Sequence, residues 1–191
     1  MENLVLKIVL LGSSGGEKSK LLDKYIGNKS SKLYPINGID IKDKSLIMED
    51  GNKVLVKFFN IVGFERYHSI ACNYLRNSDG AAIFYDVTNS ESFENIEFFY
   101  KNSRKTDIPI ILIACKCDLE GDGERKISKE KAEKYANERN IPYIETSSKD
   151  NINTTEAIKK IVDDAYRYLI SKIKDKKIKT KFNKLNKFLN V

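Results

Sequence analysis

The chain has little cysteine, one histidine and no long apolar run. Cys72, Cys115 and Cys117 are its three cysteines. They show no metal-ligand spacing, and an odd number cannot all pair. Cys115 and Cys117 alternate onto one face of an extended segment, which suits reduced thiols in a cytosolic protein. No stretch of 18 apolar residues occurs, so no hydrophobic membrane-spanning helix is expected. Met1-Glu2-Asn3 carries neither a cationic stretch before an apolar run nor Gly at position 2. Neither a secretory signal nor N-myristoylation is therefore expected. The body also lacks net charge. Of the formal +7, residues 171–191 supply everything, with eight lysines against one aspartate, so residues 1–170 balance. The basicity belongs to a tail and not to a binding face of the body. A nucleic-acid partner is accordingly not expected; its footprint would be a salt-sensitive affinity that vanishes with residues 171–191.

What is present is apolar material in a regular order. The 191 residues suit one domain, and 41% hydrophobic residues with ten Tyr and nine Phe can fill one core. Leu4 to Leu11 is an apolar run broken only by Lys7, as in a central buried strand. Gly12-Ser-Ser-Gly-Gly16 follows, and Lys18 to Tyr25 reads as a helix with Leu21, Leu22 and Tyr25 on one side. Residues 39–48 and 53–61 are strand-like around the turn signal Glu49-Asp-Gly-Asn52. Gly80 to Val87 and Pro109 to Cys115 are further buried runs. Between them Thr88-Asn89-Ser90 offers caps for a helix bearing Phe93, Ile96, Phe99 and Tyr100. A helix from about Ser128 to Asn140 and a short strand over Ile141 to Thr146 come next. Thr154 or Thr155 can cap a last helix carrying Ile158, Ile161, Val162, Ala165, Tyr168 and Leu169. Strands alternating with helices after one hairpin predict an α/β sandwich with a mostly parallel sheet. Ligands of such sheets sit at the carboxyl ends of the strands, here the loops after Leu11, Ile61 and Cys115.

Several stretches together resemble the Rab GTPases: Lys7-Ile-Val-Leu-Leu-Gly12, Gly38-Ile-Asp40, Glu65-Arg66-Tyr67, Phe84-Tyr-Asp-Val-Thr88, Glu91-Ser-Phe93, Lys116-Cys-Asp-Leu119 and Glu145-Thr-Ser147. Their order and spacing match over residues 4 to about 170. The resemblance implies the small G-protein fold, a three-layer α/β sandwich with a six-stranded, mostly parallel sheet and five helices. It also implies a Mg-guanine-nucleotide site on the loops. The expected division is a G domain over 1–170 and a lysine-rich tail over 171–191.

The nucleotide motifs depart from the family pattern. In the phosphate loop Gly12, Lys18 and Ser19 match the pattern and Gly15 lies between them as a further vestigial nucleotide-binding candidate, but Glu17 replaces the second glycine. That adds a Cβ and a carboxylate near a polyanion, where like charges about 4 Å apart cost roughly 4 kcal/mol at an effective dielectric of 20. Alternatively Glu17 swings outward to solvent or to Lys20 or Lys24. In the first switch Ile36 occupies the place of the Mg-ligating threonine, with Asn37 one position off. In the second switch Asn60 replaces the carboxylate that holds the metal's water shell, and Phe64 replaces the glutamine that orients water. Gly63 survives. In the base-recognition loop Lys116 and Asp118 remain, while Cys115 removes the carboxamide that ties the base to the phosphate loop. Read alone, Asp118 is also a loop cap. Ser147, Ser148 and Lys149 can still support the base. Three lost bonds plus Glu17 amount to roughly 8–13 kcal/mol if additive, which neighbouring sites rarely are.

These departures lead to the expectation of a Rab-like pseudo-GTPase. It would be an interaction domain and not an enzyme, with no catalytic residue, no cofactor or metal, and absent or strongly weakened nucleotide binding. The alternative is an atypical, slow Rab-like GTPase acting as a GTP/GDP switch in vesicle traffic. Protein partners are expected on Ile41, Phe59 and Tyr74, which otherwise read as interstrand core. His68, in the second switch, reads as a solvated polar residue. In the tail Ile173, Ile178, Phe182, Leu185 and Leu189 recur at near-helical spacing among lysines. Such a segment can lie on an anionic membrane or extend as disordered chain. No cysteine follows Cys117, so prenylation is not expected. The location expected is cytoplasmic or peripheral to a membrane.

Overall fold

The computed structural model describes residues 4–12, 17–27, 38–61, 68–120 and 123–188, with side chains left aside at 68, 120 and 176–188. The expected positions Gly15, Ile36, Asn37, Gly63 and Phe64 lie outside the described residues. Six strands form one sheet: β1 (Leu4–Gly12), β2 (Ile39–Ile47), β3 (Lys53–Ile61), β4 (Gly80–Asp86), β5 (Ile110–Cys115) and β6 (Tyr143–Glu145). Their order is β2-β3-β1-β4-β5-β6. Only β2 runs antiparallel, paired to β3 through the hairpin at residues 48–52, where the Met48 and Asn52 backbones bond. All other neighbours are parallel.

The period of two along β1 explains its central place. Leu6, Ile8 and Leu10 fill the core on one face of the sheet, while Val9 and Leu11 fill the other. A strand buried on both faces needs helices on both. On the first face lie α1 (Lys18–Ile26) and α6 (Glu156–Phe188), through Leu21, Leu22, Ile158, Ile161 and Ala165. On the second lie α2 (His68–Arg76), α3 (Ser90–Glu94), α4 (Ile96–Ser103) and α5 (Lys129–Glu138). Asn89 caps α3 by accepting from the Ser92 N–H. α3 and α4 are one helical run interrupted at Asn95, which itself stays right-handed, so the five-helix sandwich expected from the sequence is what forms.

α6 does not stop at the expected boundary. Its backbone stays helical from Glu156 to Phe188, straight across position 170. Where the sequence left open a disordered extension, the chain is helical as far as Phe188. Among the described residues no helix is long and apolar enough to cross a membrane.

Candidate functional site

The parallel strands deliver four loops to one edge of the sheet, after β1, β3, β5 and β6. At the end of β1, Gly12 has φ of +131°, and a Cβ there would lie 2.1 Å from the Phe84 carbonyl oxygen. Only glycine lets β1 pass β4 this closely and turn toward α1. Lys18 opens α1 and folds back into the protein, 5% exposed, its Nζ donating to the Gly12 carbonyl at 2.8 Å. Burial pushes its ammonium down to about 8, with the nearby Cys115 opposing. Ser19, the next residue, is exposed, and its hydroxyl accepts from Asn60 Nδ2 at 2.8 Å. Asn60 thus keeps the end of β3 tied to α1, with a neutral amide where the family pattern has a carboxylate.

Glu17 takes neither course expected for it. Its side chain is buried, and the carboxylate crosses to the loop after β6, accepting from the Ser148 N–H at 2.9 Å and from the Ser148 hydroxyl. It does not reach Lys20 or Lys24. The physical reason is that two donors of Ser148 satisfy the buried charge at closer quarters than exposed ammonium groups can. Lys24 is used elsewhere: its Nζ donates to the Ser148 carbonyl at 2.6 Å and to Asn151 Oδ1 at 3.1 Å.

Cys115 closes β5, fully buried, and burial pushes its thiol up to about 12. The Thr146 hydroxyl lies 3.9 Å from its sulfur. Lys116 has φ of +63° and turns its Nζ onto Asp86 at 2.6 Å. That hydrogen bond raises Lys116 against the effect of burial. Asp86 would be raised by burial, but the bonds from Lys116 and Thr88 prevail and hold it below the usual carboxylate range. Asp118 is 5% exposed at its side chain. Its Oδ2 is 3.8 Å from Lys149 Nζ, and its Oδ1 is buried without a hydrogen-bond partner among the described residues. Ser147 is buried and accepts from the Asp150 N–H, bracing the loop turn.

These groups border a cleft of about 640 Å³ lined by Glu17, Lys20, Lys24, Lys116, Asp118, Ser148 and Lys149, among others. The structure therefore brings together Gly12, Glu17, Lys18, Ser19, Asn60, Cys115, Lys116, Asp118, Ser147, Ser148 and Lys149. Sequence reasoning missed Asp86 and the grip of Lys24. Asp86 ends β4, the one parallel strand of the central sheet whose carboxyl end was not considered. Lys24 stands seven positions after Glu17 on the same side of α1, a spacing that could have pointed to a shared partner.

Away from the cleft, the Phe59 and Tyr74 rings meet at 4.9 Å, both half-buried, and Ile41 pairs with Phe59 across the β2–β3 ladder.

The β2-β3-β1-β4-β5-β6 sheet, with helices on both faces and these loops at one edge, is the small G-protein fold. The model of the Ras family matches residues 7–167. The chain is 33% identical over 172 residues to the Ras-related protein Rab7 of Pisum sativum, covering 85% of this chain and 83% of that one. It is 33% identical over 166 residues to the Ras-related protein Rab-10 of Diplobatis ommata, covering 85% and 82%. To the Ras-related protein SEC4 of Candida albicans it is 32% identical over 180 residues, covering 92% and 80%. The chain belongs to the Ras family of small GTPases and is of the Rab type. This membership corrects two expectations. Rab GTPases are enzymes that use guanine nucleotide and Mg²⁺, so the readings "not an enzyme" and "no cofactor" are overturned. The reason lies in how the departures were weighed. Each was counted as a lost contact, while Glu17 and Asn60 both make new ones within the same loops.

Proposed function

We propose that this chain is an atypical, slow Rab-like GTPase, a GTP/GDP switch in vesicle traffic whose nucleotide sits in the cleft between α1 and the loops after β5 and β6. The observation that carries this reading is Asp118 Oδ1, a buried acceptor with no partner among the described residues. Leaving such a group unpaired costs about 1–3 kcal/mol, so it makes sense where a ligand supplies the donor. A guanine edge offers two adjacent N–H donors to one carboxylate, and the cleft's lysines favour a polyphosphate. Mg²⁺, when bound, would neutralise phosphate charge. Ser19 keeps a hydroxyl lone pair for it, and the Asn60 carbonyl oxygen can accept from a metal-bound water. These residues fit the group, with one negative charge fewer than the family pattern.

The slow rate follows from side-chain chemistry: the phenyl ring of Phe64 cannot hydrogen-bond the attacking water, and Ile36 offers no ligand atom. Substituting Phe64→Gln should therefore speed single-turnover phosphate release from Mg-GTP by about 10²-fold, with little change in affinity. Family membership supports protein effectors at the switch regions, and Ile41, Phe59 and Tyr74 form the apolar surface proposed to receive them. The basic tail is proposed to touch anionic membrane.

Calorimetric titration of nucleotide-stripped protein with Mg-GDP and Mg-GTP tests the central reading. Binding is expected, and Asp118→Ala should weaken it by about tenfold or more. Wild-type protein that binds neither nucleotide, or an alanine variant that binds as well as wild type, would sink the assignment of this cleft.

A further inference from the structure

α1 grips the loop after β6 from both of its own ends. At its start the Glu17 carboxylate takes the Ser148 N–H and hydroxyl; in its last turn Lys24 takes the Ser148 carbonyl. Every polar group of Ser148 is thereby engaged by a helix more than a hundred positions earlier in the chain. The Glu17 carboxylate is not capping α1, which has no side-chain cap bond. Cys115, fully buried at the end of β5, offers only a thiol, a weak hydrogen-bonding group. The strong link of the phosphate-loop end thus runs to the loop after β6, through positions 17 and 148, and not to the loop after β5 through position 115.

We propose that Glu17 is a positioning residue for the nucleotide base: it fixes Ser148, and so the wall of the cleft that carries Lys149 and faces Asp118, replacing the tie that Cys115 cannot make. Two substitutions that look like separate losses are then one exchange. A carboxamide is absent at 115, on the loop after β5, and a carboxylate is gained at 17 that ties the phosphate-loop end to the neighbouring loop after β6. Charge-assisted bonds are roughly twice as strong as neutral ones, so one carboxylate suffices. The proposal rests on the nucleotide reading above.

The test uses the full chain with Glu17→Ala, Glu17→Gln and the double variant Glu17→Ala with Cys115→Asn. Two quantities are read: GDP affinity by calorimetry, and exchange of the Ser148 amide hydrogen in nucleotide-free protein. Glu17→Ala should weaken GDP about tenfold or more and speed Ser148 exchange by a similar factor. Glu17→Gln keeps one acceptor and the side chain's size, so it should fall between and serve if the alanine variant folds poorly. Cys115→Asn should recover most of the affinity lost in Glu17→Ala, which a merely structural role for Glu17 would not allow. Tighter or equal GDP binding by Glu17→Ala would mean that the carboxylate obstructs the site, and would overturn the proposal while leaving the nucleotide reading intact. Unchanged Ser148 exchange, or failure of Cys115→Asn to recover affinity, would also overturn it. Wild-type protein without GDP binding would instead remove the functional reading on which it stands.

Discussion

In the proposed nucleotide site, Lys18 is the buried side chain that would couple binding to protons. With its ammonium lowered to about 8 by burial, the folded chain holds fewer protons than the unfolded one between pH 8 and the ordinary lysine value of 10.5. Stability contributed by Lys18 therefore rises with pH across that window. Cys115 acts in the opposite sense. Its thiol is raised to about 12, so its contribution is full below pH 9 and declines above. Bound polyphosphate reverses the Lys18 shift, because a neighbouring anion favours the ammonium. GDP binding just above pH 8 should be accompanied by proton uptake, and affinity should fall as pH rises through 8. Titrations in buffers of different ionisation enthalpy measure that uptake directly. Lys18→Met should abolish the uptake; equal proton uptake in the variant would assign it to another group. The place of Lys18 beside Gly12 was legible from its spacing. The fate of Glu17 beside it was not, because its partner lies 131 positions away and nothing local marks Ser148 as a donor pair.

At the scale of elements, close approach decides where the sheet and helices can meet. A Cβ at Gly80 would stand 2.8 Å from the Ala165 Cβ and 3.3 Å from Ile161 Cδ1, so β4 and α6 pack at a distance that only glycine permits. Gly80→Val should push α6 off β4 and cost about 1–3 kcal/mol, read as a lowered urea midpoint. GDP affinity of the folded variant should change little, since Gly80 begins β4 while the site lies at its far end. A wild-type midpoint would mean that α6 is not held as described. The alternation of Leu6, Ile8 and Leu10 against Val9 and Leu11 made the central strand readable, and the caps offered at Thr88-Asn89-Ser90 made the start of α3 readable. Two features were not readable. The interruption at Asn95 leaves no break in the apolar period, because Phe93, Ile96 and Phe99 all stay buried. The continuation of α6 past 170 is carried by lysine-rich sequence that helix propensity tolerates as well as it tolerates solvated coil.

For the whole molecule, charge and packing divide α6 at a place the backbone does not. Leu169 and Ile170 still pack against the core, and Lys172 lies over the Tyr168 ring at 4.3 Å. Beyond that the sequence is dominated by the lysines that give the chain its net +7, while residues 1–170 are balanced. A body that is neutral and a helix that is basic should respond to different surroundings. Among the described residues, none from 171 onward belongs to either core cluster, so the chain without 171–191 should keep a cooperative thermal transition and its GDP affinity. It should lose contact with acidic lipid, since each lysine near such a surface contributes about 1 kcal/mol. Sedimentation with phosphatidylserine-containing vesicles separates these outcomes. The full chain should bind at about 0.1 M salt and release at about 0.5 M, where the screening length falls to roughly 4 Å. Vesicles of neutral phosphatidylcholine should hold neither chain. Binding by the truncated chain equal to that of the full chain would place the membrane contact on the body. Binding that persisted at high salt and on neutral lipid would show that the apolar positions, Ile173, Ile178, Phe182, Leu185 and Leu189, govern the contact and that the lysines do not.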